Sequence, residues 1–335
     1  MKTFQTFIGI DISKLSLDVS VIYAGDPVKA VSYKVSNDSK GLMGLIGQMK
    51  QKGIALEDTL FVCENTGIYT TPLMTVLGSQ KLHYWVVAAI EIKRSQGLSR
   101  GKSDKADAKT IALYGLTHQH KYQPSALPQT SLQQLKLLFT QREKIQKAIA
   151  LFEQTKENEG YLPKEVYAVV KKLNQQQIGH LQRALAKIDV QMLDIVKQDD
   201  ALQKQQVLLT SVPGIGKQTA FYLIITTRSF TCFDNWRQLA CYAGVAPFEH
   251  SSGTSVRGRT KVSDIADKKM KSLLQMCVLS AVKCDKEIKA YYEKKKAEGK
   301  PGMLVMNNVR AKLLARAFAV VKRGTPFVNT QKFAA

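Results

Sequence analysis

Residues 7–13 read Phe-Ile-Gly-Ile-Asp-Ile-Ser, an apolar strand-like run in which one carboxylate, Asp11, stands between Ile10 and Ile12. The following segment alternates Leu15, Leu17, Val19 and Val21 with polar residues, the period-two pattern of a strand. Two adjacent strands linked at Ser13-Lys14 predict a hairpin. An aspartate in such a setting is expensive to bury unless it is paired or holds a metal. Asp11 therefore needs partners from elsewhere in the chain.

Outward from this point, residues 29–38 predict a third strand and residues 39–51 a helix capped by Ser39. Residues 59–67, TLFVCENTG, form a fourth strand ending in polar residues, and 70–80 a helix. HYWVVAAI, 83–90, gives a fifth strand, and 103–120 a helix opened by Ser103. Three strands in a meander, then alternating strands and helices, predict a mixed sheet covered by helices. That order is the one found in ribonuclease H-like folds. From Pro128 to about Gln206 strand signals vanish. Leu132, Leu135 and Leu138, then Leu181, Leu185, Ile188, Met192 and Ile195, describe apolar stripes at helical spacing, and residues 160–163 mark a turn. A helical hairpin follows, whose stripe meets either its own other arm or another subunit. From Val207 onward the chain reads as mainly helical with glycine-bearing turns. The domains so delimited are 1–125, 126–206 and 207–330.

The charge narrows the partners. The 335 residues carry 49 Lys+Arg against 27 Asp+Glu, a net +22, which favours a polyanion such as nucleic acid. Residues 255–323 hold 18 Lys/Arg and 6 Asp/Glu, so more than half of the net charge sits in about a fifth of the chain. The five cysteines, Cys63, Cys232, Cys241, Cys277 and Cys284, are odd in number, scattered and never in a C-x-x-C pair. That pattern argues against a disulfide framework or a zinc site and for buried thiols in a reducing compartment. The N-terminal residues do not read as a charged-then-apolar signal segment, and no apolar run reaches the roughly 18 residues that span a bilayer. These features predict a cytoplasmic protein of the prokaryotic cytosol or nucleoid.

Four carboxylates fall where one site could use them. Asp11 ends the first strand, Glu64 ends the fourth, and Asp104 and Asp107 sit three apart at a helix start. Residues i and i+3 share a helix face, so all four can converge on one edge of the sheet. Taken singly, Asp104 and Asp107 would be ordinary first-turn acids and Glu64 a loop carboxylate. Together they predict a site for Mg²⁺, with Mn²⁺ as an alternative, of the two-ion kind used in phosphoryl transfer. Lys93, Arg94, Arg100, Lys102, Lys105 and Lys109 nearby suit a phosphate backbone. The opening hairpin also resembles the phosphate-binding hairpin of sugar-kinase and actin-like ATPases. Its turn, Ser13-Lys14-Leu15-Ser16, lacks the expected Gly or Thr, no second such hairpin follows, and +22 does not suit a small-molecule kinase.

In the C-terminal part, SVPGIGKQTA places Gly214, Gly216 and Lys217 between apolar helical segments, the pattern of a helix-hairpin-helix element that contacts phosphates. An ordinary helix turn is the alternative. Ser251-Ser252-Gly253-Thr254 reads as a polar loop followed by Arg257, Arg259 and Lys261. A serine there can attack a phosphate whose developing charge the cations stabilise, with His250 as an orienting group; by itself the segment is only a turn.

Taken in order, GIDISK, CENTG, SDKADA, SVPGIGKQTA, LACYAGVAPFEHSSGT and VKRGTPF resemble the IS110 family of insertion-sequence transposases, also described as bridge-RNA-guided recombinases, and the related site-specific DNA invertases. The resemblance covers nearly the whole chain. It implies a RuvC-like domain whose metal-binding tetrad matches Asp11, Glu64, Asp104 and Asp107, a coiled-coil segment, and a transposase domain of the IS116/IS110/IS902 type with a nucleophilic serine. The family serine precedes a glycine, which points to Ser252, with Ser251 adjacent. It further implies target and donor DNA as substrates, a structured noncoding guide RNA, and assembly as a dimer or tetramer. After the arginine cluster this chain reads VSDIADKKMKSLLQM where many members have Lys-x-Gly and then Leu-Arg, so contacts there do not carry over. Lys268, Lys269 and Lys271 are either phosphate contacts or a solvated face. The competing functions are a RuvC-like nuclease that uses metal-activated water and a non-catalytic RNA-binding protein.

Overall fold

The computed structural model describes residues 2–95, 103–154, 161–252 and 256–329, with the side chains of 250–252, 256–257 and 259 outside that description. The chain divides into two compact units, 1–127 and 128–335.

The first unit is built on a five-stranded mixed sheet of order β3-β2-β1-β4-β5. Strands β1 (Thr6–Ile12), β2 (Ser16–Tyr23) and β3 (Asp26–Ser36) form the expected antiparallel meander. Strands β4 (Thr59–Glu64) and β5 (His83–Val87) add in parallel beyond β1. The parallel steps are crossed by helices α1 (Ser39–Gln51) and α2 (Thr71–Ser79), whose Leu42, Leu45, Leu73 and Leu77 pack on Ile8, Ile10, Val19 and Phe61. Helix α3 (Ala89–Ser95) follows β5, so the fifth strand stops at Val87 and its expected last residues turn into helix. Helix α4 (Asp104–His118) covers the opposite face through Ile111, Ala112 and Tyr114 on Phe7, Leu60, Val62 and Trp85. Both faces of β1 are therefore buried, which is why Phe7, Ile8 and Ile10 read as a continuous apolar run and not as an alternation.

The second unit is helical apart from one hairpin. Helices α5 (Thr130–Gln154) and α6 (Lys164–Gln198) run antiparallel: Ser131 meets Asp199 at 2.6 Å and Arg142 meets Asp189 at 2.7 Å. Their Leu132, Leu135, Phe139, Ile188, Met192 and Val196 share one core with α7 (Asp200–Thr210), α8 (Lys217–Thr226), α9 (Trp236–Tyr242), α10 (Lys268–Cys284), α11 (Lys286–Ala297) and α12 (Gly302–Arg323). Arg316 of α12 clamps Asp285 and Glu287 at the start of α11, each at 2.6 Å. The hairpin, β6 (Pro247–Ser252) with β7 (Val256–Val262), was not expected from sequence. Its strands carry few apolar residues, so no periodicity marks them. Only Cys63 and Cys277 are buried; Cys232 and Cys284 are exposed, which corrects the reading of all five as core thiols. Among the described residues no helix is long and apolar enough to cross a membrane.

Gly9 sets the seat of α4. A Cβ there would lie 2.2 Å from the Ala108 carbonyl oxygen and 2.3 Å from the Ala112 nitrogen, both helix backbone that cannot turn aside. Gly9→Ala is expected to destabilise the unit by about 3 kcal/mol. Gly44→Ala, on the exposed face of α1 with nothing within 4 Å, is expected to stabilise it by up to about 1 kcal/mol. Thermal denaturation of both variants checks the opposite signs.

Candidate functional site

The same close contact builds the carboxylate edge. Gly115 of α4 meets Val62 and Phe7, and Ala108 and Ala112 meet Gly9, so the helix runs antiparallel to β1 and its first turn lies at the strand's C-terminal end. Ser103 caps that turn, its Oγ accepting from the Ala106 N–H at 3.3 Å and its carbonyl from the Asp107 N–H at 2.9 Å. Asp104 and Asp107 are the acids of this turn, placed where the helix dipole favours negative charge. They arrive beside Asp11, the penultimate residue of β1.

Electrostatics records the meeting. Burial pushes the Asp11 carboxyl above its ordinary range, and the charges of Asp107, Asp104 and Asp18, in that order, push it further, against a backbone hydrogen bond from Ile12. Three of the four expected carboxylates thus share one field. Glu64 ends the neighbouring strand, one residue beyond the last paired position, Ile10 with Cys63. The Cys63 thiol is pushed up to about 12 by burial and by the Glu64 charge. Among the described residues, no three His, Cys, Asp or Glu side chains are drawn together closely enough to hold a metal ion. The donor set nevertheless suits a hard divalent cation: it is all oxygen, and Asp11 sits under repulsion that a cation would relieve.

Asp18 was missed from sequence. It lies directly across from Asp11 in the β1–β2 register, and was read as one of the outward polar residues of an alternating strand. Because α4 covers that face, Asp18 and Ser20 are buried at 7% and 0% exposure. Of the flanking cations, Lys93 and Arg94 lie exposed on α3, and Lys109 donates to the Val28 carbonyl at 3.0 Å. Arg100 and Lys102 lie outside the described residues.

The remaining candidates belong to the second unit. Gly214 adopts φ +93°, and a Cβ on it would stand 2.6 Å from the Cys277 carbonyl oxygen and 2.7 Å from the Ala281 Cβ. Its close approach is to α10. Gly216 differs: it caps α8 with no side-chain hydrogen bond, faces open space and precedes the exposed Lys217. The serines are the last two residues of β6, Ser251 paired with Arg257 and Ser252 with Val256. They are strand residues, not loop residues, at the turn end of the hairpin. The side chains of His250, Ser251, Ser252, Arg257 and Arg259 lie outside the described residues; Lys261 is exposed.

The root of this hairpin is fixed from three sides. Gly244, at φ +64°, allows a contact with Ala266 that a Cβ would turn into a 2.5 Å clash. The Asn307 amide donates to the Val245 carbonyl at 2.8 Å. Asp267 caps α10, donates its N–H to the Tyr242 carbonyl and accepts from the Tyr222 hydroxyl, both at 2.8 Å. Of the three lysines that follow, Lys269 is committed to Glu143 at 2.5 Å.

Two family models match the chain. One, described as a transposase of the IS110 DEDD type, matches residues 8–156, and one described as the transposase IS116/IS110/IS902 family matches residues 206–293. The chain is 26% identical over 329 residues to the pilin gene-inverting proteins of Moraxella bovis and of Moraxella lacunata, covering 96% of this chain and 98% of each relative. It is also 30% identical over 118 residues to the insertion element IS110 uncharacterized 43.6 kDa protein of Streptomyces coelicolor, covering 35% of this chain and 29% of that protein.

The raised Asp11 carboxyl has a measurable consequence. A carboxyl that holds its proton more tightly in the fold than in the unfolded chain lowers stability as pH rises from its ordinary value of 3.8 through its folded value. Asp11→Asn is therefore expected to match the wild-type Tm below about pH 4 and to exceed it at pH 7 in chelator-treated buffer. A wild type more stable than the variant at pH 7 would contradict the shared field.

Proposed function

We propose that this chain, which belongs to the IS110/IS116/IS902 family of transposases, cuts and rejoins DNA through a serine nucleophile, at target and donor sites selected by base pairing with a structured noncoding RNA. The observation that carries the reading is the crowding of Asp11, Asp104 and Asp107 at the end of β1. The strand order β3-β2-β1-β4-β5, with β4 and β5 parallel to β1, supports a ribonuclease H-like (RuvC-like) reading of the first unit. Residues 1–125 would be the metal-holding part, 126–206 a coiled-coil segment and 207–330 the serine-bearing part, acting in the prokaryotic cytosol or nucleoid. Val166, Val169, Val170 and Leu173, exposed on α6 at helical spacing, support self-association as a dimer or tetramer.

Asp11, Glu64, Asp104 and Asp107 would hold Mg²⁺ or Mn²⁺. Such ions supply charge stabilisation to the attacking and leaving oxygens of phosphoryl transfer. Ser252 Oγ forms a bond to phosphorus as a deoxyribose oxygen leaves, giving a protein–DNA phosphodiester. A hydroxyl of the partner DNA strand then attacks the same phosphorus and releases the serine oxygen. Each step exchanges one phosphodiester for another, so no ATP is consumed. Arg257, Arg259 and Lys261, which follow the serines in sequence, would supply positive charge to the phosphate. Gly216 and Lys217, at the N-terminus of α8, hold the DNA backbone, with Gly214 shaping the turn.

The test uses a supercoiled plasmid that carries the coding region with its flanking DNA. A denaturation-resistant protein–DNA adduct is expected with wild type and Ser251→Ala and lost with Ser252→Ala; an adduct that survives Ser252→Ala overturns the assignment. Strand nicking by wild type without any adduct favours hydrolysis by water. Asp11→Ala is expected to bind DNA as wild type does while strand exchange falls to background. Exchange that persists in this variant would leave the carboxylates a structural role only.

A further inference from the structure

On the α4 side of the sheet, a single row of positions runs across four strands. Asp11 on β1 is in register with Asp18 on β2, and Asp18 with Lys34 on β3; Glu64 on β4 continues the row on the other side. Like charges directly opposite one another on antiparallel strands are destabilising. Stability alone therefore gives no reason to set a buried aspartate against Asp11. The row also has an orientation. Lys34 Nζ sits 3.1 Å from Asp18 Oδ2, with its own side chain 61% exposed and that of Asp18 10%. Asp18 is thus drawn toward β3, away from Asp11, while Asp11 faces Asp107 and Asp104 of the first turn of α4 on one side and Asp18 of β2 on the other. A cleft of about 440 Å³ lined by Asp18, Tyr33, Lys34, Ser103, Asp104 and Lys105 joins the pair to the carboxylate edge.

We propose that Asp18 and Lys34 are a positioning pair for the carboxylate site. Asp18 holds Asp11 in the direction of Asp107 and Glu64, and Lys34 keeps the Asp18 carboxylate from competing for the cation. The inference rests on the cation-binding reading of Asp11, Glu64, Asp104 and Asp107. It assigns the fifth acid a role that is not that of a ligand.

The two members of the pair have opposite effects on cation affinity, which makes the inference testable. Asp18→Asn removes the negative charge that faces Asp11 across the β1–β2 register. Mn²⁺ binding to the full-length protein, followed by the electron paramagnetic resonance signal of the free ion, is expected to weaken by roughly tenfold. Lys34→Met, at a largely exposed position, releases Asp18 and is expected to tighten Mn²⁺ binding several-fold. In the Asp18→Asn background most of that tightening is expected to disappear, because Lys34 acts through Asp18. Equal Lys34→Met shifts in both backgrounds would overturn the pairing, as would Mn²⁺ affinities unchanged by either single variant. Asp11→Asn is the control. If it leaves Mn²⁺ binding intact, the carboxylate site itself fails; if it abolishes binding while Asp18→Asn and Lys34→Met change nothing, only the positioning pair fails.

Discussion

A helix can lie against a strand at backbone distance only where the strand offers no Cβ, and on β1 that position is Gly9. The contact fixes the height of α4 above the sheet, and the 3.6-residue repeat then fixes which of its residues meet the end of the strand. Ala108 and Ala112, small enough to sit on Gly9, leave Asp107 and Asp104 to project past the strand end beside Asp11. Ser103, by capping the helix there, prevents the acids from fraying away. The carboxylate edge is thus a product of packing two backbones together, not of attraction among its members, which repel one another.

That origin explains what was legible in the sequence. Asp11 stood out because it interrupts an apolar run, and Glu64, Asp104 and Asp107 because they sit at element ends, where alternation and capping rules speak clearly. Asp18 did not, because period-two alternation assigns a strand's polar residues to solvent, whereas a helix on the second face reverses the assignment. The cue was present in Gly9 and in Ala108, Ala112 and Gly115, a small-residue track on a helix that follows a glycine-bearing strand. Only the three-dimensional register turns that cue into a burial statement. The β6–β7 hairpin was illegible for a different reason: with one strand reading Val-Arg-Gly-Arg-Thr-Lys-Val, it has no continuous apolar face, and its place is set by contacts at its root.

Those root contacts divide the glycines of the second unit by role. Gly214 and Gly244 both take positive φ, and both lack room for a Cβ because another helix or loop abuts them. They let the turns seat against α10 and its preceding loop. Gly216 has ordinary φ and open space, so nothing in the fold itself requires a glycine there. In a glycine-rich motif read as one phosphate-binding unit, Gly214 is thus a packing residue, and only Gly216 is left for the proposed phosphate contact.

The two units handle charge in opposite ways. In the second, acids are matched at short range, as Arg316 matches the buried Asp285 and the half-buried Glu287 and Arg142 matches the half-buried Asp189. Removing Arg316 would leave the Asp285 charge buried and uncompensated, so that contact is a constraint on the fold. In the first unit Asp18 is matched by Lys34, but Asp11 has burial and three acids against it and one backbone N–H in its favour. A fold that can pair its buried carboxylates, and does so one strand away, leaves Asp11 unbalanced at an edge reached from a cleft. Positive charge supplied from solution would relieve the imbalance, as the proposed metal-holding role requires, and divalent cations bring more of it per ligand position than any side chain can.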